Sequence, residues 1–248
     1  MLRHIGTQRT YKHNVKLASL LGMTAGFVNA AGFLAFAVLT TNVTGHAALF
    51  AERIAQQDWK TARVVALWML LFLTGSFICS LIVSRIGRNQ RYSYVIPITI
   101  EMAILLCITL FGHYYKNTLV AKECFAGSLL FAMGMQNSMV SLVSGSIVRT
   151  THLTGTFTDL GIELAQMLKK KTEDRAILKT RIKLRIAIII FFMFGALTGA
   201  FLFRFFSFHA FGIPAAILLF TLIADVFRVR VKQYYRRFQN PFKKTNRK

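Results

Sequence analysis

The chain has 248 residues, of which 54% are hydrophobic and 16% charged, and its mean hydropathy is +0.49. Soluble domains carry about 25% charged residues, so this composition excludes an ordinary soluble globular protein. The net charge of +22 would suggest nucleic-acid binding in a soluble chain, but here the basic residues gather in loops and at the ends, as in membrane proteins.

Six apolar stretches predict an all-α, polytopic membrane protein with six transmembrane helices. Each stretch approaches or exceeds the ~20 residues that a helix needs to cross a bilayer. The first is too long for the 7–15-residue apolar region of a signal peptide, so we expect it to be retained. The predicted spans are 17–39, 64–84, 92–112, 124–147, 186–206 and 207–227. Two further helical stretches, at about 46–57 and 156–170, are too short and too charged to span, and both are expected to be re-entrant or interfacial.

The distribution of basic residues predicts the orientation. With the N-terminus in the cytoplasm, 25 of the 31 Lys and Arg residues fall on the cytoplasmic side and 6 on the outside. This asymmetry is the signal that orients membrane proteins, so both termini are expected to be cytoplasmic. The basic tail at 230–248 is expected to contact anionic lipid headgroups.

An internal repeat is the second feature of the sequence. The pattern Thr-Thr-x-x-Thr-Gly occurs at 40–45 and again at 150–155, and four other short patterns recur in the same order. They are Gly-x-x-Asn at 26–29 and 134–137, Ala-Gln at 55–56 and 165–166, Leu-Thr-Gly at 73–75 and 197–199, and Ile-Pro-x-x-Ile at 96–100 and 213–217.

The ordered matches predict two three-helix repeats, 17–113 and 120–229, between an N-terminal segment (1–16) and the tail (230–248). Because three spans is an odd number, the second unit must enter the membrane from the opposite side. Such inverted repeats are typical of secondary transporters, whose sites lie near the bilayer midplane.

The Thr-Gly motifs are predicted to begin the two short helices. Thr44 and Thr154 are suitable N-cap residues, and Gly45 and Gly155 permit close backbone approach. A helix N-terminus suits an anion or a carbonyl group. The motifs therefore either dip into the membrane and line a path, or lie in loops that cap interfacial helices.

Polar residues of spans one and four suggest the walls of that path, although Asn and Ser also serve as packing contacts between helices. The predicted substrate-path residues are Asn29, Thr40, Thr41, Thr44, Gly45, Gln136, Asn137, Thr150, Thr151, Thr154, Gly155 and Asp159. Glu101 lies well inside span three, one turn after Pro97, and is the candidate proton- or cation-coupling residue. Its alternative role is that of a protonated or hydrogen-bonded structural group.

Other chemistry finds little support in the sequence. His46 and His152 occupy different positions of the two motifs, and no metal-ligand spacing occurs, so neither a metal nor a cofactor is expected. The three cysteines fall in or beside apolar segments and are interpreted as small buried hydrophobes. No catalytic constellation is recognisable, so an enzyme is not expected.

Three segments resemble the YoaK family of bacterial integral membrane proteins: AMGMQN at 132–137, VRTTHLTGT at 148–156 and TDLG at 158–161. The resemblance extends over about 15–229. The family pattern also has a Gly-aromatic-x-Asp in span one, followed by a Thr-Gly-Asn, and here Asn29 and His46 replace the acid and the final Asn. The resemblance implies six helices in a bacterial inner membrane. The family's function is unknown, so the resemblance implies no substrate.

Together these features predict a small-solute transporter with its site between spans one and four, near the two motifs. The alternative is a non-transporting scaffold or regulator that acts through the basic cytoplasmic loop and tail. The expected partners are the lipid bilayer and an unidentified small molecule, and not nucleic acid. The sequence leaves the solute and the oligomeric state open.

Overall fold

The computed structural model describes residues 10–87, 92–116, 118–168 and 175–224. Every regular element in these ranges is helical, as the sequence predicts. The α-helices are α1 (Tyr11–Phe36), α2 (Val43–Ala55), α3 (Trp59–Ile86), α4 (Tyr92–Phe111), α5 (Leu119–Ser144), α6 (Leu153–Leu168), α7 (Arg175–Phe206) and α8 (212–224). Two 3₁₀ segments, Gly112–Tyr114 and Ser207–Phe211, follow α4 and α7.

Five stretches of the described residues are long and apolar enough to cross a membrane, and the last of them, Arg175–Ala224, has 50 residues. That is more than twice the ~20 residues of one passage. The 3₁₀ segment interrupts it, beginning at Ser207 in a left-handed conformation (φ 49°). Within the interruption Phe208 lies against Gly112, and just after it Gly212 lies against Thr109. The 3₁₀ segment and the start of α8 therefore lie beside the end of α4.

Several predicted boundaries are corrected by the structure. Helix α7 begins at Arg175, well before the predicted start at 186, and residues 207–211 form the 3₁₀ segment rather than the start of a span. The short helices α2 and α6 each begin three residues before the predicted starts. The end of the predicted sixth span, the last two residues of the predicted stretch 156–170 and the tail at 230–248 lie outside the described residues.

Aromatic rings gather several helix ends on one side of the bundle. The ring of Phe36, at the end of α1, lies 5.0 Å from Tyr115, 6.0 Å from Phe125 and 5.8 Å from Phe208, measured between centroids. These residues follow α4, lie early in α5 and follow α7, respectively. The ends of α1, α4 and α7 and the start of α5 therefore share one side, called here the aromatic side.

The opposite side of the bundle carries the other ends of α1, α5 and α7. There the starts of α1 and α7 and the residues that follow α5 line a common cavity of about 590 Å³. The segment leading to α2 thus leaves α1 on the aromatic side, whereas the segment leading to α6 leaves α5 on the opposite side. The two Thr-Gly motifs therefore begin on opposite sides of the bundle.

Glycines make the closest helix contacts, which join α1 to α7 and α3 to α5. At each contact, a Cβ atom added to the glycine would overlap the backbone carbonyl oxygen of the facing helix. Only a residue without a side chain permits this approach between backbones. The four closest contacts are Gly26 with Phe192, Gly195 with Met23, Gly134 with Phe72, and Gly75 with Phe131, and Gly199 makes a fifth, slightly longer one with Phe27.

Candidate functional site

A cavity of about 710 Å³ lies where α1, α3, α5 and α7 meet the starts of α2 and α6. Twelve of its fifteen lining residues form six pairs, in which one member comes from each half of the chain at a nearly constant separation of 108 to 120 positions. The pairs are Asn29 and Asn137, Thr41 and Thr151, Asn42 and His152, Val43 and Leu153, Thr44 and Thr154, and Phe72 and Phe192.

The cavity brings together part of the site that the sequence suggests. Of the twelve predicted residues, seven line the cavity: Asn29, Thr41, Thr44, Gly45, Asn137, Thr151 and Thr154. Thr40, Thr150 and Gln136 are fully buried outside its lining. Gly155 and Asp159 also lie outside the lining, as does Glu101. The lining residues that were not predicted are Leu39, Asn42, Val43, Ala48, Phe72, His152, Leu153 and Phe192, of which only Asn42 and His152 are polar.

The prediction that Thr44 caps α2 is wrong. The N-cap is Asn42, whose Oδ1 accepts a hydrogen bond of 2.9 Å from the backbone N–H of Gly45, and Thr44 lies within the first turn. Asn is among the strongest N-cap residues. A Cβ on Gly45 would lie 2.7 Å from the Asn42 amide nitrogen, so the glycine leaves room for the cap to fold over the helix.

The start of α6 has the same construction, so Thr154 is not its cap either. Helix α6 begins at Leu153, directly after His152. The ring of His152 occupies the space beside Gly155 that a Cβ would need. The carbonyl oxygen of His152 accepts from the N–H of Thr156 at 3.1 Å. The glycine of each motif therefore makes room for the side chain that precedes its helix.

Two asparagines face the cavity from α1 and α5, each seven residues before the end of its helix. The Oδ1 atom of Asn29 accepts a 3.1 Å hydrogen bond from the backbone N–H of Thr41, which ties the first motif to α1. The Oδ1 atom of Asn137 is buried without a hydrogen-bond partner among the described residues. In both cases the NH₂ group is the part of the amide left for the cavity.

The predicted residues outside the lining hold the walls together. Gln136 donates a 2.6 Å hydrogen bond from Nε2 to the carbonyl oxygen of Leu21, which links α5 to α1. The methyl group of Thr40 lies against Gly32, and that of Thr150 lies against Gly22. We therefore assign these three polar residues to packing between helices.

Asp159 belongs to an ion-pair cluster on α6. Arg185 of α7 lies 3.0 Å from Asp159 and 3.8 Å from Glu163, and it donates a long 3.4 Å hydrogen bond to the carbonyl oxygen of Ile147. Burial raises the pKa of Glu163, and the Arg185 charge opposes that shift. Hydropathy places Arg185 in a loop, although Asp159 and Glu163, four residues apart on α6, are a sequence signal for a basic partner.

Glu101 is 1% exposed, and both of its carboxyl oxygens lack a hydrogen-bond partner among the described residues. A buried charged or polar group without a partner is costly, and within membranes such groups usually serve a function. This carboxyl group is therefore the least satisfied side chain of α4.

The contacts of His46 indicate a structural role. Its Nε2 lies 2.8 Å from the carbonyl oxygen of Leu39, and its ring packs on Trp68 with centroids 5.6 Å apart. Burial lowers the pKa of His46, against the effect of the hydrogen bond to Leu39. Across the described ranges, no group of three or more His, Cys, Asp or Glu side chains is placed to hold a metal ion.

The apolar helices define a multi-pass integral membrane protein, and a cavity with polar lining residues lies between them. The family model described as "Protein of unknown function (DUF1275)" matches residues 17–224, and the chain belongs to this family. Similarity to the UPF0700 transmembrane protein YoaK of Bacillus subtilis (strain 168) confirms the resemblance noted in the sequence. The identity is 26% over 182 residues, covering 71% of this chain and 78% of the relative. No solved structure gives a significant match.

Proposed function

We propose that the protein is a small-solute transporter of the bacterial inner membrane, and that the polar cavity is its solute site. The proposal rests on the cavity lining, in which six residues from the first half of the chain pair with six from the second half. Sites at the interface of two inverted repeats are the arrangement of secondary transporters. In this proposal six helices cross the membrane, the termini are cytoplasmic, and the protein has no enzymatic activity.

Burial supports the repeat on which the proposal depends. Residues 41–50 and 151–160 alternate between buried, half-buried and exposed positions in the same order, position by position. Both stretches contain the end of a Thr-Gly motif and the first turns of a short helix. An identical pattern over ten positions indicates that the two segments sit in equivalent surroundings.

The glycine contacts support the repeat and refine its register. Gly26 meets Phe192 as Gly134 meets Phe72, and Met23 meets Gly195 as Phe131 meets Gly75. Each contact maps onto the other when α1 and α5 are offset by 108 positions and α3 and α7 by 120. The Leu-Thr-Gly match in the sequence implied an offset of 124 for α3 and α7, which is about one helical turn different.

The approach of the motifs supports a re-entrant arrangement. The first motif leaves α1 on the aromatic side and the second leaves α5 on the opposite side, yet Thr44 and Thr154 line the same cavity. Irregular backbone at membrane depth is tolerated where it lines a cavity. A scaffold has no need of such a cavity, so this feature favours the transporter over the alternative.

Two-sided thiol labelling tests the proposal. Cys79, Cys107 and Cys124 are replaced, and single cysteines are placed at Thr44 or Thr154, which are exposed and line the cavity. If access alternates, each cysteine is expected to react with an impermeant reagent from both faces of the membrane.

Matched controls come from the exposed ends of the short helices. Gln56→Cys and Gln166→Cys lie at equivalent positions outside the cavity, so each is expected to react from one face only. The transporter proposal is contradicted if Thr44→Cys and Thr154→Cys react from one face only, as these controls do. The scaffold alternative is then favoured.

A further inference from the structure

The asparagine amides of the cavity offer a ligand donors rather than acceptors. Three asparagines line the cavity, and the acceptor oxygen of each is either hydrogen-bonded to the backbone or buried. The Oδ1 atoms of Asn29 and Asn42 accept from the backbone N–H groups of Thr41 and Gly45, and that of Asn137 is buried. Because a backbone N–H can only donate, it fixes the orientation of the first two amides. The three NH₂ groups are left to serve a ligand.

Two helix starts add further donors to the same walls. Helices α2, with 13 residues, and α6, with 16 residues, both begin at the cavity. The first N–H groups of a helix have no acceptor within it, and together they act as about half a positive charge. These backbone N–H groups add to the amide donors described above. Both kinds of donor favour a ligand that carries hydrogen-bond acceptors.

Negative charge is missing from these walls. None of the described residues that line the cavity is Asp or Glu. The carboxylates nearest in sequence to the second motif, Asp159 and Glu163, are paired with Arg185 on α7. The walls also include the aromatic rings of Phe72 and Phe192. The site is therefore rich in amide and backbone donors, has no carboxylate among its described lining residues, and includes an apolar surface.

We propose that the cavity binds a small organic anion with a carboxylate group and an apolar body. The inference rests on the proposed function, because it names the solute class of the same site. A carboxylate accepts about four hydrogen bonds, which suits the free amide and backbone donors. An ammonium group can only donate, and the cavity offers it no carboxylate, only the neutral hydroxyls of four threonines and the ring of His152 as side-chain acceptors. The two phenylalanine rings provide a surface for the apolar part.

Three isosteric probes test the sign of the charge: benzoate, benzamide and benzylamine, which are anionic, neutral and cationic at pH 7. Their binding to the purified full chain in detergent is measured by titration calorimetry. Benzoate is expected to bind roughly 10- to 100-fold more tightly than benzamide, because hydrogen bonds to a charged group are stronger. Benzylamine is expected not to bind. Equal affinities for benzoate and benzamide, or a preference for benzylamine, would overturn the inference.

A variant links that preference to the cavity. In Asn29→Asp the new carboxylate can still accept from Thr41 N–H, so the fold is retained while a free donor is replaced by a negative charge. Benzoate affinity is expected to fall by roughly 10- to 100-fold. Gly161→Ala, in open space on α6, is expected to bind benzoate unchanged. An unchanged affinity in Asn29→Asp places the anion elsewhere and overturns the inference.

The two proposals fail in different ways. If none of the three probes binds while Thr44→Cys reacts from both faces, the anion inference is overturned and the transporter proposal stands. If benzoate binds with the expected preference while the cysteines react from one face only, the anion site stands and transport is contradicted. Calorimetry and labelling thus judge the two proposals separately.

Discussion

Replacing Gly134 with alanine is expected to lower the free energy of unfolding by roughly 3 kcal/mol, the upper end of the usual cost of overpacking. The added Cβ would overlap the carbonyl oxygen of Phe72, so α3 and α5 must move apart. A backbone carbonyl cannot be displaced by a rotamer change, which makes this contact less adaptable than a contact between side chains. The measurement is thermal unfolding of the purified protein in detergent.

Gly161 provides the matched control for this prediction. It also lies within a helix, yet a Cβ added there would have no neighbouring atom within 4 Å. Alanine at this position is expected to stabilise the helix by up to about 1 kcal/mol, because glycine is a poor helix former. If Gly134→Ala and Gly161→Ala unfold at the same temperature, the close crossing of α3 and α5 is contradicted.

Replacing Glu101 with leucine is expected to raise the free energy of unfolding by roughly 1–3 kcal/mol, because burying a polar group without a hydrogen bond costs about that much. The carboxyl group is 1% exposed and lacks a partner within the described part of the chain. If it couples proton or cation movement to transport, the same change also abolishes two-face labelling of Thr44→Cys. The free energy of unfolding is expected to rise while labelling from both faces is lost, a trade-off that functional sites commonly show.

Unfolding and thiol labelling of the same variants check this prediction. The neighbouring change Met102→Leu is the control, since it nearly conserves volume on a partly buried residue of the same helix. It is expected to leave both measurements within error of the parent protein. A Glu101→Leu variant that unfolds earlier and still labels from both faces would show that the carboxyl group is structural.

Hydropathy locates the apolar helices well but misplaces charged helix ends. The start of α7 carries Arg181 and Arg185, so hydropathy alone assigns this stretch to a cytoplasmic loop. In the structure the α6 carboxylates pair with Arg185, and the basic stretch is helical from Arg175 onward. Pairing of this kind depends on which elements become neighbours, and a sequence pattern along one helix does not carry that information.

The site shows a similar division between what sequence reasoning could and could not predict. Thr44 and Thr154, which the repeated motifs identify by their spacing and order in the sequence, both line the cavity. The cap on α2 could not be assigned, since Asn42 and Thr44 are both good caps and only backbone geometry decides between them. Gln136 and Thr150 were expected beside the path, yet they face neighbouring helices, because residue type alone does not fix the direction of a side chain.

The interleaving of the helices has a consequence for how the protein is made. The closest contact of α1 is with α7, so Gly26 meets Phe192 only after 166 more residues have been synthesised. At 5–20 residues per second, the small-residue face of α1 waits roughly 10–30 s for its neighbour. During that interval lipid tails or the insertion machinery must cover this face. The first half of the chain is therefore an incomplete intermediate, and truncation after α4 leaves α1 and α3 without the helices that fit them.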